Sequence, residues 1–584
     1  MRAFHQPAAA VDSAEARRDN GKTMKHRSAF RLTRSAGAWA CWAILCGAAA
    51  AAEGPRRPVN LLFLITDQQR WDALGCAGNP VLKTPNLDRL AHGGARFANF
   101  YSSCPVCSPA RTTILTGRSV GSHKVADNRD ITRGDLPDFV TFDQILLRAG
   151  YRGEYHGKYH SPYKMALDYS YPVRWVNGRR PAGSKADMGE GMAFKAYLDA
   201  HFPARPLRPG ELLANLYDRP YTPDPLDGAY GMTQAEVEQL GRGKQAKRDL
   251  EIGQGATYGC LDVPPEHTMT AWTVKEGLAG LERLHMAGRP FTLTISISPP
   301  HPPMVLPKPY YGMYPPAAIR PPASLGDRRE NSPYWRRDNK DPNPYRDPQK
   351  VRQMISNYYG LVTEVDDWIG KVLKRLDELG LAENTLVIFT SDHGEMLGDH
   401  GMHSKMAFYE GAAHIPLLMR LPGVIPPATV VKAPAAQIDL FATILDYLGQ
   451  GRHESEGRSL RPLVEGRDDG AGHFAVSEWN SPALPRFMVC DGRWKLMFGQ
   501  SADAPALDGL YDLQADPQEV ANLIGRNPEW EKHRPEAERM KGLLVGWLGR
   551  VKSPFLESVK ARPIARQAEL PKKKIRREKA PVPQ

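Results

Sequence analysis

Apolar and polar residues follow one another along the chain in blocks whose spacing predicts two kinds of element. Three blocks of eight or nine residues are rich in apolar and β-branched side chains, as in strands of a parallel sheet that are buried on both faces. They lie at residues 59–67, 291–298 and 385–392. The first and the third end in an acidic residue, Asp67 and Asp392.

Helical patterns separate these strands. Residues 84–93 begin with Thr-Pro and end with Gly, and residues 141–150 begin with a Thr-x-x-Gln capping box and end with Gly. Residues 347–379 repeat apolar positions every 3.6 residues and predict the longest helix. Strands that alternate with helices predict an α/β fold, with a large mixed, mostly parallel sheet flanked by helices on both faces.

The pattern changes in the last third of the chain. An amphipathic helix over residues 437–448 precedes short alternating strands, two of which are separated by a hairpin signal at Asp491-Gly492. We therefore predict a smaller C-terminal α+β subdomain after the large α/β domain. The predicted bounds are 56–425 for the large domain and 426–555 for the subdomain. Long insertions at 165–255 and 300–347 are expected to lie near the mouth of a functional site.

The first 52 residues have the character of a secretory signal peptide. From Met24, a better candidate start than Met1, basic residues precede an uncharged stretch over 35–52 that ends in alanines. We predict a signal peptide over 1–52 that is cleaved at this small-residue end, and hence a secreted or periplasmic protein. An uncleaved membrane anchor is the alternative, because 18 uncharged residues approach the length that spans a bilayer.

Composition changes this picture only at the two ends of the chain. The 584 residues carry a formal charge of +12, of which +5 lies in residues 1–52 and +7 in residues 560–584. The body between them is neutral, and it contains no zinc-finger pattern, so a nucleic-acid partner is not expected. We predict that residues 560–584 form a basic, disordered tail suited to contact with anionic glycans.

Candidate chemistry begins at the carboxyl ends of the predicted strands. In an open α/β sheet these ends meet at one edge, so Asp67-Gln68 and Asp392-His393 are expected to converge. Two carboxylates, an amide oxygen and an imidazole can hold one divalent cation. The oxygen ligands favour Ca²⁺, while the imidazole also suits Mn²⁺ or Mg²⁺. The alternative, if either pair is considered alone, is that its aspartate only caps a turn at the end of a strand.

A second motif, Cys104-Pro-Val-Cys107-Ser-Pro-Ala-Arg111, places a cysteine at the start of a predicted helix. Free backbone N–H groups and the helix dipole favour an anion there, and the guanidinium of Arg111 can bind an oxyanion. A Cys-x-x-Cys pair also suits a dithiol redox site or half of a zinc site. A second such pair is missing from the sequence, which excludes a four-cysteine zinc site.

The motif, together with the Leu-Thr-Gly at 115–117, resembles the signature of type I sulfatases in the alkaline phosphatase superfamily. The resemblance implies that a formylglycine-generating maturation enzyme oxidises Cys107 to formylglycine, which joins the four metal ligands. Further matches run in order from residue 59 to about 420. Those that carry implied roles are Lys158 and His160 of Gly-Lys-Tyr-His, His301 of Pro-Pro-His-Pro, and Lys405.

The resemblance also implies a mechanism. A hydrated aldehyde carries two hydroxyls on one carbon; one attacks sulfur, and the other allows the adduct to collapse and release sulfate. His160 is the implied base for the collapse, and Arg111 and Lys158 hold the nucleophile. His301 and Lys405 are implied to face the leaving oxygen. The expected substrate is a sulfate ester, by default a sulfated carbohydrate.

One departure keeps a second activity open. Many sulfatases have paired acids where this chain has Asp67-Gln68, and an amide where it has His393. The forms found here also occur in formylglycine-dependent phosphonate and phosphate diester hydrolases, which is the alternative function. A non-catalytic glycan binder would lack catalytic residues, and all of them are present in this sequence.

Overall fold

The computed structural model describes residues 58–163, 169–170, 213–215, 257–261, 264–335, 343–480, 484–502 and 506–567. The predicted signal peptide, most of the insertion at 165–255 and residues 568–584 of the predicted tail lie outside the described residues. No helix in the described part of the chain has both the length and the apolar character needed to cross a membrane.

Seventeen strands lie within these residues. They are β1 (Asn60–Asp67), β2 (Ala95–Phe97), β3 (Phe100–Tyr101), β4 (Arg152–Gly157), β5 (Tyr169–Ser170), β6 (Leu213–Asn215), β7 (Thr257–Leu261), β8 (Phe291–Pro300), β9 (Met304–Pro307), β10 (Thr385–Ser391), β11 (Leu417–Arg420), β12 (Thr429–Val431), β13 (Ala435–Ala436), β14 (Ala475–Glu478), β15 (Phe487–Cys490), β16 (Trp494–Phe498) and β17 (Gly509–Asp512).

The described α-helices number eleven. They are α1 (Pro85–His92), α2 (Cys107–Thr116), α3 (Val120–His123), α4 (Phe142–Arg148), α5 (Met269–Met286), α6 (Pro348–Glu378), α7 (Glu410–Ala413), α8 (Leu440–Tyr447), α9 (Arg461–Val464), α10 (Trp530–Arg550) and α11 (Leu556–Ala561). Five of them, α1, α2, α4, α6 and α8, correspond to helices predicted from the sequence.

The main sheet has eight strands in the order β12-β2-β11-β10-β1-β8-β4-β5. Its centre is parallel, because β1 pairs in parallel with both β10 and β8. Only β11 runs antiparallel to its neighbours, β10 and β2. The register places Thr66 opposite Ser391, so β1 and β10 end at the same level of the sheet. The predicted mixed, mostly parallel sheet is confirmed.

Helices cover both faces of this sheet, and β1 shows why. Its odd-numbered residues, such as Phe63 and Ile65, pack into a core with residues of α2, α4 and α8. Its even-numbered residues, Leu62 and Leu64, pack into a second core with residues of α1, α5 and α6. Successive side chains of a strand point to opposite faces, so an unbroken apolar run serves two cores at once.

The C-terminal part contains a separate four-stranded antiparallel sheet, β14-β15-β16-β17, against which α10 packs. The predicted hairpin is confirmed, since β15 and β16 flank Gly492, which has a φ of 95°. The bounds 426–555 stay a prediction. The structure differs from them at the start, because β12 pairs with β2 of the main sheet and α8 packs into its core.

The first residues of the predicted tail, which runs from residue 560 onward, are structured. Helix α11 continues to Ala561, and Arg562 and Ile564 are buried. The Arg562 guanidinium donates to Asp508, with Nε 3.0 Å from Oδ2. A positive charge that suggests a solvated tail in the sequence is thus paired with a buried acid that lies 54 residues earlier.

Candidate active site

Two aspartates meet at the carboxyl edge of the main sheet. Asp67 ends β1 and Asp392 follows β10, and neither has exposed surface. The backbone N–H of Gln68 donates to Asp392 Oδ1 at 3.1 Å, which joins the two strand ends directly. His393 Nε2 lies 3.5 Å from Asp392 Oδ1 and 3.8 Å from Asp67 Oδ1. The predicted convergence of the two pairs is what the parallel register produces.

Cys107 reaches this edge from the first turn of α2. The helix begins there because Pro109 suits a first turn, and it ends where Gly117 adopts a φ of 63°. The Cys107 Sγ lies 3.1 Å from His393 Nε2 and 3.2 Å from Lys405 Nζ. Cys104, by contrast, is buried in a small apolar cluster with Val106 and Val120 and is not among the grouped metal-ligand candidates of the described residues.

The geometry fits a divalent cation. One potential ligand atom from each of Asp67, Cys107, Asp392 and His393 lies within 4.8 Å of the others, and all four residues are buried. His393 Nδ1 lies 3.0 Å from the Gly394 carbonyl, which only accepts, so Nδ1 donates and Nε2 keeps a lone pair for a ligand. Gln68 adds an amide oxygen, which accepts from Lys405 Nζ at 2.7 Å. Asp67, Gln68, Asp392 and His393 are the residues that would hold the cation.

Arg111 and Lys158 contact the two aspartates directly, and the charge of Lys405 also acts on Asp67. Arg111 donates from Nε to Asp392 Oδ2 at 2.8 Å, and its Nη2 lies 3.3 Å from Asp67 Oδ2. Lys158 Nζ lies 2.5 Å from Asp67 Oδ2. Burial raises the pKa of Asp67, but the positive charge of Lys158 and its neighbours outweighs it and holds the pKa well below its usual value. The Asp67 carboxylate therefore stays ionised, whereas burial and the negative charge of Asp67 raise the pKa of Asp392.

The same charges act on the cysteine. Burial and Asp67 both raise the pKa of the Cys107 thiol, yet the two nearby lysines outweigh them and lower it well below its usual value. Burial raises the pKa of Cys104 well above its usual value, without a comparable group of lysines. Of the two cysteines in the Cys-x-x-Cys pair, only Cys107 thus lies in an electropositive environment.

The two predicted histidines complete the site. His301 Nδ1 lies 2.7 Å from the Pro302 carbonyl, so this nitrogen donates; burial and the charge of Lys405 lower the pKa of the ring to about 3. His160 forms a side-chain hydrogen bond with Cys107, and burial lowers its pKa. All the site residues predicted from the sequence are therefore brought to this edge of the sheet.

Sequence reasoning missed groups that hold these residues in place. Ser296 Oγ accepts from Arg111 Nη1 at 2.8 Å and donates to the Lys158 carbonyl at 2.6 Å. Gln437 Nε2 donates to the Asp392 carbonyl at 2.7 Å. Ser296 could have been noticed as a polar residue within an apolar strand. Gln437 follows a different strand, and nothing in the sequence pattern marks it as a site residue.

The second Asp-His pair of the same loop, Asp399-His400, lies away from the candidate metal ligands. Asp399 Oδ2 pairs with Arg70 Nη1 at 2.7 Å, and His400 Nδ1 lies 2.7 Å from Asp327 Oδ2. The ring of His403 stacks on Tyr345. None of the three belongs to the metal-ligand group found in the described residues.

Three residues at or next to the site have a strained backbone. Within the described residues, non-glycine residues with positive φ include Gln68 at 70°, His160 at 51° and Ser404 at 64°. Such conformations cost energy and persist where the surroundings impose them, which is common at functional sites.

Comparison with known proteins gives this arrangement a family. The sequence matches the Sulfatase family over residues 59–450. The chain belongs to the sulfatase family of hydrolases. Residues 398–542 also match a second family, described as N-sulphoglucosamine sulphohydrolase, C-terminal.

Individual relatives cover most of the chain. A multifunctional alkaline phosphatase superfamily protein of Trinickia caryophylli is 29% identical over 80% of this chain and 91% of its own length. An arylsulfatase of Clostridium perfringens is 27% identical over 83% of this chain and 93% of its own length. The solved structure of a phosphonate monoester hydrolase from Silicibacter pomeroyi superposes with a TM-score of 0.64 at 27% identity, covering 85% of this chain and 96% of that one.

The two Asp-His pairs provide a matched test of the cation site. We expect Asp392→Asn to weaken Ca²⁺ binding by more than ~10–100-fold. That range is the usual cost of losing a residue that only supports a ligand, whereas this change removes a charged ligand itself. Asp399→Asn should keep the wild-type affinity. Isothermal titration of Ca²⁺ into chelator-treated protein measures both, and equal losses in the two variants would contradict the assignment.

Proposed function

We propose that this protein is an exported sulfatase that hydrolyses sulfate esters of carbohydrates through a formylglycine made from Cys107. The observation that carries the proposal is the position of Cys107. Its Sγ lies 3.2 Å from Lys405 Nζ and 3.9 Å from Lys158 Nζ, at the centre of the candidate ligand group. A nucleophile at this point meets an anionic group that both lysines can bind.

The residues divide the work of binding and proton transfer. As a hydrated formylglycine, residue 107 would supply two hydroxyls on one carbon, and a divalent cation would supply charge that activates the nucleophile. Arg111 holds both aspartates, and Lys158 lies against Asp67. His160, hydrogen-bonded to the side chain of residue 107, is placed to remove a proton from it.

His301 and Lys405 serve the leaving group. His301 is neutral at pH 7 in this state, because burial and Lys405 lower its pKa. The negative charge of a bound sulfate group acts in the opposite direction, so the ring gains basicity as the substrate enters. Lys405 is only 8% exposed, and its ammonium, beside residue 107, is placed to bind a sulfate oxygen.

The substrate class and the location rest on different observations. The match of residues 398–542 to a family described by an aminosugar sulphohydrolase supports a sulfated carbohydrate. The basic, then alanine-rich leader supports export, either to the periplasm or out of the cell. Extracellular sulfate esters would then be the available substrates.

A phosphonate or phosphate diester hydrolase is the second candidate. It is favoured by the likeness to the phosphonate monoester hydrolase structure and by the Asp-Gln and Asp-His forms of the two ligand pairs. A diester carries an uncharged ester arm where a sulfate ester carries a third terminal oxygen. Lys158 and Lys405, both near Cys107, suit the third oxygen better than the arm.

Maturation is the first test. In protein made with an active formylglycine-generating enzyme, peptide mass spectrometry should show the aldehyde at residue 107 and an unchanged thiol at Cys104. Cys107→Ala should abolish turnover and Cys104→Ala should retain substantial activity, because Cys104 packs only in an apolar cluster. Full activity in Cys107→Ala would refute the proposal.

Substrate preference separates the two candidates. Wild-type protein should turn over 4-nitrophenyl sulfate with a higher kcat/KM than a phosphate diester with the same leaving group. Lys158→Ala should lower the sulfate value by about 10²–10³-fold, the usual cost of one oxyanion-binding donor, and the diester value by less. A preference for the diester that survives Lys158→Ala would favour the second candidate.

A further inference from the structure

Glu395 lies behind the candidate cation site, in the loop that follows β10. It is 1% exposed, and its two carboxylate oxygens have different partners. Oε2 accepts from Gln68 Nε2. Oε1 accepts from the backbone N–H of Ser404 and, at 3.3 Å, from that of Leu397. One buried carboxylate thus contacts a candidate ligand and the segment that leads into Lys405.

The chemistry of its neighbours fixes the orientation of the Gln68 amide. A carboxylate only accepts hydrogen bonds, so the amide must direct its NH₂ group toward Glu395. An ammonium only donates, and Lys405 Nζ lies 2.7 Å from Gln68 Oε1. The same Nζ lies 3.2 Å from Cys107 Sγ, so the amide oxygen is on the side of the site.

We propose that Glu395 is a positioning residue of the cation site. It holds the Gln68 amide with its oxygen toward the cation, and through Ser404 it holds the backbone that carries Lys405. The hydrogen bond from the amide to a carboxylate also places more negative charge on the amide oxygen, which improves a neutral ligand. This inference rests on the cation site of the proposed function.

An isosteric change at Glu395 would reverse the orientation. In Glu395→Gln the new amide must keep its oxygen on the Ser404 N–H, which turns its NH₂ group toward Gln68. The amide of Gln68 must then turn its oxygen toward residue 395. Its NH₂ group would consequently face the cation and Lys405. A donor facing two cations repels both of them.

The reciprocal exchange restores the pattern. In the double variant Gln68→Glu/Glu395→Gln, the carboxylate moves to the site and the amide moves behind it. Donor and acceptor again match at the contact between the two side chains. Gln68→Glu alone places two buried carboxylates against each other instead, which is unfavourable. The four proteins form a double-mutant cycle for this contact.

The test measures Ca²⁺ affinity by isothermal titration of the chelator-treated full-length chain with residue 107 unconverted. Glu395→Gln should bind Ca²⁺ ~10–100-fold more weakly than wild type. This is the usual loss of metal affinity when a residue that hydrogen-bonds to a ligand is replaced. The double variant should bind more tightly than either single variant. Glu364→Gln is the matched control, because Glu364 is also a buried glutamate but accepts a hydrogen bond from Thr268. This variant should keep the wild-type affinity.

Three outcomes would overturn the inference and leave the proposed function intact. These are wild-type affinity in Glu395→Gln, a double variant that binds no more tightly than Glu395→Gln, and a Gln68→Glu variant that binds as tightly as the double variant. The last outcome would mean that the added charge of the ligand at residue 68 alone explains the tighter Ca²⁺ binding of the double variant. If Glu395→Gln does not fold, the comparison of Gln68→Glu with the double variant decides the question. A wild-type chain that binds no divalent cation would overturn both claims.

Discussion

Two aspartates without exposed surface lie at the ends of adjacent parallel strands, and this burial of charge constrains the rest of the molecule. An unpaired carboxylate in such a position is too costly to remain ionised. Arg111 and Lys158 pair with the aspartates, and Lys405 adds positive charge that acts on Asp67. These residues come from three separate elements: helix α2, the segment after β4 and the loop after β10. The site therefore assembles only when the sheet order is complete.

The loop that carries Lys405 is held on several sides, which explains how it keeps strained conformations. Ser324 donates to Asp399 at 2.9 Å, and Tyr334 accepts from the Phe408 N–H at 2.8 Å. From the C-terminal sheet, the buried ammonium of Lys495 lies 2.5 Å from Glu410 Oε1, at the start of α7. The second sheet thus supports the site without contributing a ligand.

The sequence pattern predicted those parts of the structure that depend on local spacing. The parallel register brought two strand-terminal motifs into one cluster, and the resemblance of residues 104–117 to the sulfatase signature pointed to Cys107 instead of Cys104. What could not be predicted depends on contacts between distant residues. Glu395 accepts a hydrogen bond from Gln68, which lies 327 positions away, and Arg562 donates to Asp508, which lies 54 positions away. In the sequence, Glu395 and Arg562 are therefore indistinguishable from ordinary surface residues. The packing of α8 into the core of the main sheet and the pairing of β12 with β2 could not be predicted for the same reason.

The central claim is that residue 107 attacks sulfur, and Cys107→Ser tests it most directly. A serine has one hydroxyl, so it can displace the alcohol from a sulfate ester but cannot expel the sulfate that it gains. Incubation with 4-nitrophenyl sulfate should release one equivalent of nitrophenol and leave an added SO₃ group on the peptide that contains residue 107, as seen by mass spectrometry. Continued turnover, or a peptide that gains no such group, would contradict the account.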